Sequence, residues 1–124
     1  MSVEGIANAD ANSALDTAIV TSTTYWIQLH TGHPGAAGTT SIATNSTRQA
    51  VTFAAASAGV KTSNLTALWS SVPATETYAF FTIWTASSAG TFKWSGSISG
   101  GGVTLGQDFT ITSGNMTLSF AEAA

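Results

Sequence analysis

The chain has no cysteine and only two prolines in 124 residues. Without thiols it has neither a disulfide framework nor a thiolate metal or redox site. Charge is scarce too: three Lys or Arg stand against six Asp or Glu, for a net charge of −3. Three cations cannot neutralise a run of phosphates, so a nucleic-acid partner is excluded. No apolar run reaches the roughly 18 residues of a spanning helix, so no membrane association is expected. The opening Met1-Ser2-Val3-Glu4-Gly5 lacks the basic stretch and apolar core of a secretory signal, and no signal peptide is expected. The triplets at Asn45, Asn64 and Asn115 match the glycosylation pattern, but a Ser- and Thr-rich chain produces such matches by chance.

What fills the chain instead is 21 Thr, 16 Ser, 21 Ala and 12 Gly, together 70 residues. Four Trp, six Phe and two Tyr separate it from a disordered low-charge segment, which lacks aromatics. The length is that of one domain, large enough to fold on its core alone. A surface so poor in Lys and Glu must be covered by hydroxyls or by other protein, which predicts life in an assembly.

Ala11, Ala14, Leu15, Ala18 and Ile19 recur at helical spacing, with Asp10 or Asn12 as N-cap, predicting a helix over about residues 11–19. So short a helix needs a surface to dock on. From Thr23 the period becomes two. Tyr25, Ile27 and Leu29 face one way, and Trp26, Gln28 and His30 the other. A turn-rich loop, Thr31 to Gly38, follows. Further strands are predicted over Arg48 to Ala54, Leu65 to Ser70, Thr77 to Thr85, Thr91 to Ile98, Val103 to Leu105, Asp108 to Thr112 and Met116 to Phe120. Thr77 to Thr85 is apolar on both faces, as a central strand is. Phe92, Trp94 and Ile98 are expected inward, and Leu65, Ala67 and Trp69 on one face. The fold class predicted is all-β: an antiparallel β-sandwich, jelly-roll-like, of seven to nine short strands with a short N-terminal helix. Residues 1–22 form an N-terminal segment and 23–124 one sandwich domain, with Phe80, Trp84, Phe92, Trp94, Phe109, Ile111, Leu118 and Phe120 as its core.

Catalytic chemistry finds little footing. His30 and His33 form an H-x-x-H across a strand end and a loop, with no cysteine in the chain and no nearby carboxylate to complete a metal site. Gly96-Ser97-Ile98-Ser99-Gly100 has Ile where a nucleophile elbow needs Ser. Of the six carboxylates only Glu76 and Asp108 border strands, and turn roles suit both. The glycines at 100–102 match no phosphate-binding loop. The chain is expected not to be an enzyme and to carry no cofactor and no metal. Trp26, out of register with the inward residues, is the ring free for a saccharide or an oligomer contact; Trp69, Trp84 and Trp94 read as core.

Several blocks are distinctive: Trp26-Ile27-Gln28-Leu29-His30-Thr31-Gly32-His33-Pro34-Gly35, then Thr47-Arg48-Gln49-Ala50-Val51-Thr52-Phe53, then Ile83-Trp84-Thr85-Ala86-Ser87-Ser88-Ala89-Gly90-Thr91-Phe92. Through them nearly the whole chain resembles a family of small tailed-phage virion proteins, mostly from phages of actinobacteria. Its members carry the labels tail fibre, minor tail and minor capsid (head decoration). The family pattern runs L-H-T-G-D-P-G, R-Q-A-V-T-[WF] and L-W-D-A-x-x-G-G-T-F. Here His33 and Thr85 stand at Asp positions and Ala89 at a Gly position, so a cation held by those aspartates is not carried over. The resemblance implies a non-enzymatic virion structural protein, made in the host cytoplasm. The expected role is a capsid decoration protein clamping the head shell, with the major capsid protein or other virion proteins as partners. It is expected as a homo-oligomer, for which threefold symmetry is one form. The alternative is a tail fibre or minor tail protein meeting host-surface glycan. Assembly contacts are expected at Ala11, Leu15, Ala18, Ile19, Trp26, His33 and Pro34.

Overall fold

Period-two patterning beside Ser, Gly and Asn turns yields ten short strands and one helix in a computed structural model, which describes residues 8–114 and 116–119. The order is α1 (Asn8–Ala18), β1 (Tyr25–His30), β2 (Gln49–Val51), β3 (Val60–Thr62), β4 (Ala67–Trp69), β5 (Glu76–Thr77), β6 (Phe80–Trp84), β7 (Phe92–Ser97), β8 (Gly102–Val103), β9 (Phe109–Ile111) and β10 (Thr117–Ser119). All pairings are antiparallel. Strand β6 pairs with β7, β5 with β8, β4 with β9 and β3 with β10. These nested pairs are one long hairpin folded over on itself, the pairing scheme of a jelly roll. The β1–β2 hairpin adds to the free edge of β6, giving a four-stranded sheet in the order β2-β1-β6-β7.

The core lies between that sheet and the three two-stranded ribbons. Tyr25, Ile27 and Leu29 of β1 point into it as their alternation predicts, meeting Phe53, Trp69, Tyr78, Phe81, Ile83, Met116 and Leu118. The central strand is indeed buried on both faces, but the face that enters the main core is Phe81 and Ile83. Phe80 and Phe92 of the predicted core instead lie half-buried, and Trp84 is buried on the other face of the sheet. Phe109, Ile111 and Trp94 pack on the rim of the core, Leu118 sits inside it, and Phe120 lies outside the described residues.

A bulge explains the exchange in β7. Ile83 pairs with Trp94, but the next residue, Trp84, pairs with Phe92, so Lys93 is an extra residue in the ladder. Phe92 and Trp94, two apart, therefore take opposite faces rather than sharing one. Gly96 continues the inner face because the Phe81 ring lies where a Cβ would be, 2.6 Å away. Leu65 precedes β4 and is exposed, not inward.

Helix α1 docks on β3, a strand too short for its own periodicity to show. Leu15 and Ile19 are fully buried, and Ile19 belongs to the main core. Asn12 is not an N-cap: it lies inside the helix, and its Oδ1 accepts the Gly59 N–H at 2.9 Å. Asp16 Oδ1 accepts the Ala56 N–H and meets Lys61 Nζ at 2.6 Å; Thr21 Oγ1 accepts from the same ammonium at 3.0 Å. Lys61 is fully buried in β3, opposite Leu118. The Lys61 ammonium, then the Ala56 amide, hold the Asp16 carboxyl below its ordinary 3.8.

Candidate functional site

The three distinctive sequence blocks converge on the outer face of the four-stranded sheet. Alternation puts Trp26, Gln28 and His30 of β1 there, and register sets Trp26 beside Trp84, Gln28 beside Thr82 and His30 beside Phe80. Across β7, the bulge brings Phe92 to Trp84 at 5.5 Å between ring centroids. Arg48, just ahead of β2, lays its guanidinium 4.4 Å from the centre of the Trp84 ring. Its Nη1 donates to the Ala86 and Ala89 carbonyls at 2.8 and 2.7 Å, and its Nη2 donates to Gln28 Oε1 at 3.4 Å. Burial draws the pKa of this guanidinium down from its ordinary value, yet it stays charged. Arg48 thus ties residues 86–89 to the sheet. In that loop Ala89 adopts φ 55°, a left-handed conformation that favours Gly. The glycine of the resembling pattern at this position therefore has a backbone reason.

His30 is the buried centre of the same face. Its Nδ1 lies 2.8 Å from the Thr40 carbonyl and its Nε2 2.8 Å from Thr82 Oγ1, while Trp84 Nε1 donates to that hydroxyl at 2.7 Å. A carbonyl only accepts, so Nδ1 carries the proton; Nε2 then accepts from the Thr82 hydroxyl. Burial is the main cause holding the His30 pKa below its ordinary 6.5, and the Arg48 charge acts in the same direction. The loop of residues 31–42 lies over this face. Thr40 N–H donates to the Pro34 carbonyl at 2.9 Å, the His33 ring meets Phe80 edge-on at 5.6 Å, and Gly38 presses on Phe92 where a Cβ would stand 2.8 Å away.

The two carboxylates that border the strands hold backbone segments. Glu76 accepts the Thr44 and Asn45 N–H groups, both at 3.0 Å, and Asp108 accepts the Ser71 N–H at 2.9 Å. Among the described residues no three metal-capable side chains cluster. Nor is any buried side-chain nitrogen or oxygen there without a partner. No helix among them is long and apolar enough to cross a membrane.

The residues expected at assembly contacts stand in different settings. Leu15, Ile19 and Pro34 are buried within their own chain, so their apolar surface is already covered. Ala18 is half-buried against the core, Trp26 is half-buried beside Trp84, and His33 is exposed. The side chain of Ala11 lies outside the described residues. Sequence reasoning missed Lys61, Arg48 and Thr82 as organising groups. The signal for the first two was their rarity, since each is one of only three cations in the chain.

Elsewhere, an open groove of about 460 Å³ runs between the end of β7 and strands β9 and β10. Its floor is Phe81, Ile98, Phe109, Ile111 and Met116, and its rim carries the hydroxyls of Ser97, Ser99, Thr110 and Thr117, with no charged side chain. Phe109 is held edge-on by Tyr78 at 5.0 Å.

The domain is all-β, and among the described residues its buried polar side chains are engaged within the chain. The chain belongs to the family described as podophage GP4 fiber I protein gp80, whose profile matches residues 5–119. It is a structural protein of the phage virion. No curated protein matches it.

Replacing Arg48 by Lys is expected to lose both the planar stack on Trp84 and one of the two carbonyl bonds. The expected cost is about 1–2 kcal/mol, with faster proteolysis between residues 86 and 90. Urea unfolding followed by tryptophan fluorescence checks it; a lysine variant that unfolds like the parent would show that the loop does not depend on the guanidinium.

Proposed function

We propose that the protein is a non-enzymatic fibre component of the virion, and that it works as a homo-oligomer meeting host-surface glycan. The family's fibre description carries this reading and favours it over the shell-clamping role expected from the sequence. The groove supports the glycan part. Its apolar floor suits the C–H face of a sugar ring, its hydroxyl rim suits the ring's own hydroxyls, and its lack of charge suits a neutral saccharide. Several copies would turn a weak contact into a firm one. Copy number tests the location: a fibre component should be scarce against the major capsid protein in purified particles, and near-equal abundance would return the shell role. Purified protein should slow adsorption of particles to host cells, and Thr110→Arg, which crowds the groove from an exposed position, should abolish that competition. Equal competition by this variant would remove the groove from the contact.

A further inference from the structure

We propose that His30 is an acid-sensitive pin: in its neutral form it holds the loop of residues 31–42 on the sheet, and protonation releases that loop while the sandwich stays folded. Neutral His30 satisfies every group around it. Nδ1–H donates to Thr40 of the loop, and Nε2 accepts the Thr82 hydroxyl, which accepts in turn from Trp84. The chain of bonds has one direction and no spare hydrogen.

A second ring proton breaks that order. Nε2–H would then point at a hydroxyl already accepting from Trp84, and the Thr82 hydrogen would have to turn away inside a fully buried site. Among the described residues no anion is at hand to compensate. From β6 the imidazole meets Thr82, with Phe80 beside it; from the loop it meets Thr40; and the charged group acting on it is Arg48, which repels a second cation. Asp16 is engaged by Lys61, Glu76 by the Thr44 and Asn45 amides and Asp108 by Ser71. The imidazolium can be hydrated only if its cover lifts, and the cover is the loop, since Thr40 sits on Nδ1 and Ile42 pairs with His30. The folded state therefore favours neutral His30. This stability is complete above the ordinary 6.5 and falls as pH drops from there toward the lowered folded value.

The chain has two histidines, so ring-proton NMR with His33→Asn as the assignment control isolates the His30 signal. His30 should titrate below 6.5, and the amides of residues 31–42, corrected for intrinsic exchange, should lose protection at least tenfold over the same pH interval, while those of Phe81 and Ile83 keep theirs. His30→Gln, neutral throughout, should remove this pH dependence. Thr82→Val, which deletes the hydroxyl that favours neutral Nε2, should raise the His30 titration and move loop release with it. Loop protection that persists through the His30 titration, or release that does not follow the shift in Thr82→Val, would overturn the proposal.

Discussion

A chain lacking residues 1–20 is expected to lose most or all of its stability as an isolated protein. The deletion removes Leu15 and Ile19, both fully buried, and truncation of such a side chain alone costs about 2–5 kcal/mol. A domain of this size has about 5–15 kcal/mol in total. It also removes Asp16, the carboxylate that pairs with Lys61, and uncovers the face of β3 on which the helix lies. In the full chain, Asp16→Ala should also lower stability, because the helix still covers the Lys61 ammonium while its carboxylate is gone. Thermal unfolding of the three chains checks both steps. A truncated chain that melts as the full one does would mean the helix contributes nothing to its own domain, leaving it wholly to assembly.

Trp69→Ala should cost about 3–5 kcal/mol, more than Trp94→Ala. Trp69 is only 2% exposed, donates Nε1–H to the Thr47 carbonyl at 2.8 Å and leans on Phe109 at 5.7 Å. Removing it opens a large cavity and strands an acceptor. Trp94 is half-buried against the rim of the core, where solvent can fill part of the space. Chemical unfolding midpoints rank the two, and a Trp94 variant as damaged as the Trp69 variant would contradict this division of the sandwich.

Much of the sandwich was legible from alternation alone. Tyr25, Ile27 and Leu29 face the core because nothing interrupts their period of two. The failures are local and have physical causes. Strand β3 escaped notice because Val60, Lys61 and Thr62 offer no apolar alternation, and its inward residue is a lysine whose partner lies 45 residues away in the helix. Alternation alone puts Phe92 on the wrong face because one extra residue, Lys93, reverses parity, and a bulge leaves no mark in composition. The outer face was harder still. The blocks containing His30, Arg48 and Trp84 stood out in the sequence, but their meeting depends on strand order, which local pattern does not encode.

The nested pairing of β3 through β10 also orders events in time. The innermost pair, β6 with β7, is joined by a short turn from Thr85 to Thr91, whereas β3 and β10 enclose all the chain between Thr62 and Thr117. Closing the outer pair first would fix the ends of that whole segment at once, a large loop-closure cost. Once β6–β7 has formed, each following pair closes only the short stretch beyond the last, so the ladder grows outward from its centre. Such long-range pairing makes for slow folding. It also places the docking of α1 last, because β3, the strand it rests on, is completed only when the C-terminal β10 arrives. A ribosome-bound chain that has not yet released β10 would therefore expose both Leu15 and Lys61.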